Sequence, residues 1–256
     1  MKLKDNPIKC FENYKDDFIY DGGYTAIFRT IACIGDSLSS GEFERIEPDG
    51  SRTYHDMYEY SWGQFISRMT GSKVYNLSRG GMTAKEYVES FSKANNFWEV
   101  EAQAYIIALG VNDFFGFGYE VGEISDIDLN DYKNNKDTVL GYYGAIIQRY
   151  KEISKDAKFF FVTLPKEIDC EKNKKYKEDF REKLYELTEV FSNSYVIDLY
   201  EHAPIYDEEF KEFFYLEGHL NPCGYIYTAK MIAKYIDAII KENYKDFKRV
   251  GFIGKE

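Results

Sequence analysis

The sequence predicts an α/β fold, a doubly wound parallel sheet of about five strands with helices on both faces, in three layers. Short and almost uninterrupted apolar runs recur along the chain, which suits strands that are buried on both faces. Segments with the 3.6-residue helical period lie between and after these runs, and each has one apolar face. In such a sheet, ligands bind beyond the carboxyl ends of the strands.

The predicted strands are residues 30–34, 73–77, 104–109, 158–164 and 194–199. Before them, residues 18–28 contain two short β-rich runs around Asp21-Gly22-Gly23, which predicts an N-terminal edge hairpin because glycine accepts positive φ. Long connections follow the first and third strands, at residues 39–58 and 114–138, and both are expected over the carboxyl edge of the sheet.

Apolar residues with helical spacing mark segments at residues 62–69, 87–91, 143–150, 176–191 and 226–240. Two helix starts carry typical caps. Thr83 with Glu86 three residues later forms a capping box, and Asn221 precedes a proline, Pro222, at the first helical position.

The chain has 256 residues, of which 44% are hydrophobic, and this predicts one domain over residues 1–256 with residues 1–28 as an N-terminal extension. The 33 Lys and Arg against 44 Asp and Glu give a net charge of −11 without a dense basic stripe, which argues against a nucleic-acid partner. The four cysteines lack metal-site spacing and are expected to be reduced thiols. No window suits a signal peptide or membrane span, so a cytoplasmic protein without a membrane partner is expected.

Polar residues that can do chemistry follow several of these strands. The first strand ends in Gly35-Asp36-Ser37-Leu38, which places Ser37 at a strand-to-helix corner on the carboxyl edge. On its own, Gly35-Asp36-Ser37 is weak evidence for a nucleophile, and a helix cap is the favoured interpretation. Residues 76–83 (NLSRGGMT), residues 110–113 (GVND) and His219 before the last helix fall at the same edge. Together these segments favour an acyl-transfer site over separate caps.

In that site Ser37 is the candidate nucleophile, and His219 is the candidate general base that takes its proton. The backbone amides of Ser37 and Gly81 and the side chain of Asn112 are the candidate donors to a developing oxyanion. A glycine at position 81 allows the backbone to approach the substrate oxygen closely.

With these residues the sequence resembles the SGNH hydrolases, also called the GDSL lipase/esterase family. The four marker residues of that family are matched in order by Ser37, Gly81, Asn112 and His219. The resemblance implies a flavodoxin-like three-layer sandwich that hydrolyses esters or thioesters through an acyl-enzyme, without a cofactor. A small-molecule or carbohydrate ester is the expected substrate, with short acyl groups such as acetyl, while lipid and thioester substrates stay open.

The family usually places an aspartate three residues before the histidine, and this sequence has Leu216 there. Glu217 can replace it by turning inward. Alternatively, a Ser–His dyad has its imidazole N–H bound by a backbone carbonyl near Leu216, which orients the ring but adds no full charge. A third possibility is a carboxylate from elsewhere, with Asp198, Asp207 and Glu208 as candidates.

Other residues near the predicted site have secondary roles. Asp36 and Asp113 are expected to accept hydrogen bonds from loop N–H groups. His202 is the reserve candidate for the base. Phe114 and Phe115 are predicted to line a substrate-binding wall, against ordinary loop packing as the alternative.

Two functions compete with hydrolysis. The same doubly wound sheet binds flavin or nucleotides in other proteins, and Ser37, Ser39 and Ser40 can hold a phosphate at a helix N-terminus. A catalytically inactive member of the fold is the other alternative, because of the missing aspartate at Leu216. The sequence does not predict the oligomeric state.

Overall fold

The structure, a computed structural model, describes residues 21–168 and 170–248. Its strands in chain order are β1 (Thr30–Gly35), β2 (Glu42–Ile46), β3 (Arg52–Asp56), β4 (Lys73–Asn76), β5 (Ala104–Ala108), β6 (Lys158–Val162), β7 (Ser194–Ile197), β8 (Tyr215–Leu216) and β9 (His219–Leu220). Five of them form one sheet in the order β4-β1-β5-β6-β7, and every neighbouring pair is parallel. This is the flavodoxin-like strand order, and the predicted fold is confirmed.

The helices in chain order are α1 (Ser37–Ser40), α2 (Trp62–Thr70), α3 (Ala84–Glu86), α4 (Ser92–Ala94), α5 (Val139–Ile153), α6 (Glu171–Val190), α7 (Leu199–His202), α8 (Glu208–Phe214) and α9 (Pro222–Glu242). A π-helical turn at Tyr87–Phe91 joins α3 to α4. Within residues 21–168 and 170–248, no helix combines the length and apolar character that a membrane crossing requires.

The predicted helix starts are capped. Thr83 accepts a hydrogen bond from the Glu86 amide at 3.1 Å, and Asn221 accepts one from the Gly224 amide at 2.9 Å. The Glu86 carboxylate does not complete the capping box, because it pairs with Arg79 at 2.7 Å. The hydrogen bond to Thr83 alone still satisfies one of the free backbone N–H groups at the start of the helix.

Side chains of the central strands alternate between two cores, which gives the three layers. In β1, Ile31 and Cys33 pack with α2 and α9 on one face. Ala32 and Ile34 face the other way and pack with α3, α5 and α6. Because both faces are covered, the strands are apolar throughout, as their sequences indicate.

The predicted N-terminal hairpin is wrong in the part that the structure describes. Residues 18–20 lie outside the described residues, and Gly23–Ile27 forms a 3-10 helix instead of a strand. Gly22 has a φ of 77°, so the glycines provide a helix start here and not a β-turn. Thr25 Oγ1 donates to the Ala233 carbonyl at 2.9 Å, which fixes this segment on α9 rather than at a sheet edge.

The long connection predicted after β1 contains an antiparallel hairpin of β2 and β3, which was not predicted from the sequence. Its turn is closed by hydrogen bonds between the ends of the segment from Glu47 to Ser51, with Gly50 at a φ of 83°. A second, shorter hairpin joins β8 and β9, with Leu216 opposite His219. The β2 strand packs against β9, so the two hairpins meet beside the carboxyl edge of the sheet.

Candidate active site

The site lies at the point where the strand order of the sheet reverses. β1 is flanked by β4 on one side and β5 on the other, so the connections that leave β1 and β5 diverge. Such a point leaves a crevice at the carboxyl edge. Ser37 follows β1 directly, and Asn112 follows β5.

The Ser37 corner is held from two directions. Asp36 caps α1 by accepting a hydrogen bond from the Leu38 amide at 3.1 Å, as expected for a structural acceptor. Asp36 is buried, and burial raises its pKa to about 7. From α9, the Tyr225 hydroxyl lies 3.4 Å from the Ser37 carbonyl and donates to the Glu42 carbonyl at 2.6 Å. Ser37 itself stays partly exposed.

Gly81 lies in a tight turn after β4. The Met82 amide donates to the Arg79 carbonyl at 3.2 Å, and Gly81 has a φ of 71° at the third position of that turn. Positive φ at this position requires glycine or asparagine, which explains Gly81 independently of any substrate. A Cβ built on Gly81 would have no heavy atom within 4 Å.

Asn112 is tied to the same turn, since its Nδ2 donates to the Met82 carbonyl at 3.1 Å. The neighbouring Asp113 accepts a hydrogen bond from the Ala84 amide at 2.9 Å, and burial raises its pKa to about 6. Both contacts join the loop after β5 to the turn after β4. The predicted acceptor role of Asp113 therefore matches its geometry.

Three N–H donors of the predicted oxyanion hole stay unused by other protein groups. Within the described chain, no hydrogen bond engages the backbone amides of Ser37 and Gly81, or the second N–H of the Asn112 amide. Unpaired donors at a carboxyl edge can bind a developing oxyanion.

The imidazole of His219 is held by a carboxylate that the sequence analysis does not name. Glu44 Oε2 lies 3.1 Å from His219 Nδ1 and accepts a hydrogen bond from the Gly218 amide at 2.9 Å. The other oxygen of Glu44 is paired with Arg52. Glu44 is only 2% exposed, so these three donors compensate a charge that would otherwise be costly to bury.

These contacts set the protonation of both groups. Burial alone would raise the pKa of Glu44, but the hydrogen bonds from His219, Arg52 and Gly218 outweigh it and hold the pKa below its ordinary value. Burial alone would lower the pKa of His219, but hydrogen bonds to Glu42 and Glu44 raise it above its ordinary value. A charged carboxylate at Nδ1 orients the ring and stabilises an imidazolium.

Glu217, the first candidate for the orienting acid, does not fill that position. It lies at the turn between β8 and β9 with a φ of 56°, and it is exposed. Its place is taken by Glu44, so the proposed dyad with a carbonyl near Leu216 is also not what the structure contains. The reason is geometric, because a two-residue turn directs Glu217 to solvent while β2 lies along β9.

The more distant carboxylates are committed elsewhere. Asp198 is buried and pairs with Arg181 at 2.7 Å. Asp207 caps α8 by accepting a hydrogen bond from the Phe210 amide at 2.9 Å. Glu208 is exposed in the first turn of that helix. None of the three contacts His219 in the described chain.

Phe114 and Phe115, the two residues predicted to line a substrate-binding wall, differ in exposure. Phe114 is 4% exposed, stacks on Tyr176 with centroids 5.8 Å apart and packs edge-on against Phe180. It belongs to the core, so its predicted substrate contact is wrong, whereas Phe115 is 39% exposed and available.

His202 has a buried Nδ1 without a hydrogen-bond partner in the described chain, and burial lowers its pKa.

A second carboxylate contacts the other ring nitrogen. Glu42 Oε1 lies 3.1 Å from His219 Nε2. Glu42 and Glu44 are separated by one residue in β2, so both project to the same face of the strand. Neither glutamate was predicted from the sequence, although the alternating runs of residues 42–46 and 52–56 around Pro48-Asp49-Gly50 are a typical hairpin signal.

Comparisons with known proteins identify the family and the fold of the chain. The family model for GDSL-like lipase/acylhydrolase matches residues 31–232. A search of curated proteins finds no match. Similar solved structures include a family two carbohydrate esterase from Clostridium thermocellum in complex with cellohexaose, at 14% identity and a TM-score of 0.54, covering 85% of this chain and 65% of that one.

A possible lipase from Chitinophaga pinensis is similar at 16% identity and a TM-score of 0.54, covering 83% of this chain and 98% of that one. TesA is similar at 13% identity and a TM-score of 0.52, covering 81% of this chain and 97% of that one. These identities show a shared fold, and the family model covers most of the chain. The chain therefore belongs to the GDSL-like lipase/acylhydrolase family and is a carboxylic-ester hydrolase.

Proposed function

We propose that Ser37, His219 and Glu44 form a catalytic triad that hydrolyses esters of short acyl groups. The observation that carries this proposal is the contact of 3.1 Å between Glu44 Oε2 and His219 Nδ1, which supplies the orienting charge that Leu216 cannot. The proposal also keeps the family's four marker residues in the roles expected from the sequence.

In the first half of the reaction, His219 Nε2 takes the proton of the Ser37 hydroxyl as the oxygen attacks the ester carbon. The negative charge that develops on the carbonyl oxygen is stabilised by the amides of Ser37 and Gly81 and by Asn112. The tetrahedral intermediate collapses to an acyl-enzyme, and the imidazolium returns its proton to the departing alkoxide. Water, deprotonated by His219, then releases the acid.

The charge of Glu44 is expected to have a large effect on the rate of turnover. In serine proteases, replacing the orienting carboxylate by its amide lowers turnover by roughly four orders of magnitude, whereas one oxyanion donor contributes roughly two to three. A hydrolase with a charged Glu44 at Nδ1 is therefore expected to be much faster than a Ser–His dyad with a carbonyl partner.

The proposed substrate is a carbohydrate that carries acetyl or similarly short esters. Exposed aromatic residues lie beside two of the site residues: Tyr54 is 52% exposed with its ring 5.7 Å from that of His219, and Phe117 is 62% exposed and donates its backbone amide to the Asn112 carbonyl at 2.9 Å. Such rings stack on apolar sugar faces. Structural neighbours include carbohydrate esterases, which supports the same substrate class for this chain.

The test is hydrolysis of p-nitrophenyl acetate, butyrate and octanoate by the wild-type protein and Ser37→Ala. Ser51→Ala is the matched control, because Ser51 lies at the exposed turn of the β2–β3 hairpin and its side-chain hydroxyl donates to Asp49, away from His219. We expect Ser37→Ala to lose turnover and Ser51→Ala to keep it. Turnover by Ser37→Ala at the wild-type rate would contradict the proposal.

Acetylated oligosaccharides test the substrate class separately, with released acetate as the readout. We expect a higher kcat/KM for acetylated xylo- or cello-oligosaccharides than for p-nitrophenyl octanoate. A preference for the octanoate would contradict a short-acyl carbohydrate substrate without affecting the triad.

A further inference from the structure

Glu42 lies between the ring of His219 and the turn that contains Gly81. Its Oε1 is 3.1 Å from Nε2 of His219, the nitrogen that would take the proton of Ser37. Its Oε2 lies against Gly80, since a Cβ built on that glycine would be 2.0 Å from it. Gly80 adjoins Gly81, so the carboxylate of Glu42 bridges the base and the oxyanion turn.

The position of Glu42 is built into the fold. Its carbonyl accepts a hydrogen bond from the Tyr225 hydroxyl at 2.6 Å, and its side chain is only 12% exposed. At the base of the same hairpin, Ser40 donates to Asp56, the cross-strand partner of Glu42. The backbone that carries Glu42 is therefore held in place, and a change in the position of its carboxylate requires rotation of the side chain alone.

The contact defines a protonation state of the histidine. An ionised carboxylate is only an acceptor of hydrogen bonds. Ionised Glu44 at Nδ1 and ionised Glu42 at Nε2 can both accept hydrogen bonds only when each ring nitrogen carries a proton, so this arrangement fits the imidazolium form. An imidazolium cannot take the proton of Ser37. In agreement with this, no hydrogen bond joins Ser37 Oγ to His219 within the described residues.

We propose that Glu42 is a gate on the base: it holds protonated His219 in a closed, inactive pair and leaves Nε2 when that nitrogen loses its proton. This inference rests on the proposed roles of Ser37 and His219. The proton passes from Nε2 to solvent water. The bare lone pair of Nε2 then faces a carboxylate oxygen, two acceptors repel, and Glu42 turns away to admit the ester. Glu42 is thus a positioning residue that acts through His219.

The charged and titratable groups that face His219 set the direction of the pH effect. Glu42 and Glu44 lie on β2, Tyr54 on β3, and Asp36 at the end of β1 interacts with the ring electrostatically. The ion pair with Arg52 partly neutralises the negative charge of Glu44. The two glutamates raise the pKa of His219 above its ordinary value. Removing Glu42 therefore lowers that pKa, and the neutral, active base appears at a lower pH.

The experiment measures kcat/KM for p-nitrophenyl acetate from acid to neutral pH in wild type, Glu42→Gln and Glu42→Ala. Glu47→Gln is the control, because it removes the same charge from the hairpin at a residue that bonds to Thr53 and Arg45 instead of His219. We expect both Glu42 variants to move the acid limb of the profile down by about one pH unit, which is roughly a tenfold gain in kcat/KM below the wild-type limb. The limb of Glu47→Gln should stay in place.

A readout independent of activity is the NMR titration of the imidazole, since the chain has only 3 histidines to assign. The pKa of His219 should fall in Glu42→Gln and stay at its wild-type value in Glu47→Gln. An unmoved limb and an unmoved His219 titration in both Glu42 variants would overturn the gate. A loss of activity at every pH would also overturn it. Full activity in Ser37→Ala would instead overturn the underlying triad, so the two failures are distinguishable.

Discussion

Glu44 and His219 are in hydrogen-bond contact, with Oε2 3.1 Å from Nδ1, although they are 175 positions apart in the sequence. The contact arises because β2 packs along β9 beside the carboxyl edge of the sheet. Gly218 completes it, since a Cβ built on that residue would lie 2.5 Å from Glu44 Oε2. A carboxylate of the hairpin that follows Ser37 therefore contacts the imidazole, whereas the family usually has an aspartate three residues before its histidine.

Asn112→Ala should lower kcat roughly 100- to 1000-fold, because it removes one donor to the developing oxyanion. KM for p-nitrophenyl acetate should change far less, since the oxyanion forms only in the transition state. The matched control is Asn95→Ala. Asn95 is exposed, and the substitution removes a hydrogen bond of 2.8 Å from its Nδ2 to the Phe91 carbonyl. A kcat for Asn112→Ala equal to that of the control would refute the oxyanion role.

Asp36→Asn should change how stability depends on pH. Burial raises the pKa of Asp36 from 3.8 to about 7 in the folded chain. Between these values the folded state binds more protons than the unfolded state, so the contribution of Asp36 to stability is present at low pH and is lost as pH rises through that window. Asparagine keeps the cap to the Leu38 amide and does not ionise.

The variant should therefore lose less stability than wild type between about pH 4 and 7, and at pH 8 it should be more stable by on the order of a few kcal/mol. Urea denaturation at pH 5 and pH 8 measures both free energies of unfolding. Parallel pH profiles for the two proteins would show that Asp36 is ionised in the folded state at neutral pH.

Phe114→Ala should lower the stability of the protein, whereas Phe115→Ala should affect substrate binding. Phe114 is buried against Tyr176 and Phe180, so its truncation should cost about 3–5 kcal/mol of stability through loss of packing and a cavity. Phe115 is exposed, and its truncation should leave stability within about 1 kcal/mol while raising KM for bulky esters. Thermal unfolding and ester kinetics separate the two. Equal stability losses would contradict the assignment of Phe114 to the core.

The fold was predictable because apolar runs and helical periods are local signals. The five strands of the sheet and the caps at Thr83 and Asn221 follow from them. The structure of the segment around Gly22 and Gly23 was not predictable in this way, because glycine permits a left-handed start to a 3-10 helix as readily as a hairpin turn. Contacts with α9 decide between the two, and they are tertiary.

The four marker residues were predictable because each follows or precedes an element at one edge of the sheet. The contact of Glu44 with His219 was not, since it depends on the packing of β2 against β9, which no spacing in the sequence encodes. Glu217 was favoured by its proximity to His219 along the chain, and a positive φ at a tight turn directs it away. A search for alternating runs around Pro48-Asp49-Gly50 would have placed Glu42 and Glu44 on one face of a strand.

The most direct test of the triad is the kcat of Glu44→Gln beside that of Glu217→Gln, with p-nitrophenyl acetate and with thermal unfolding to verify folding. Glutamine at position 44 keeps the shape of the side chain but not its charge, so kcat should fall by roughly two to four orders of magnitude. Glu217→Gln should stay near the wild-type kcat, because Glu217 is exposed at its turn. A wild-type kcat in folded Glu44→Gln, or an equal loss in Glu217→Gln, would contradict Glu44 as the residue that orients His219.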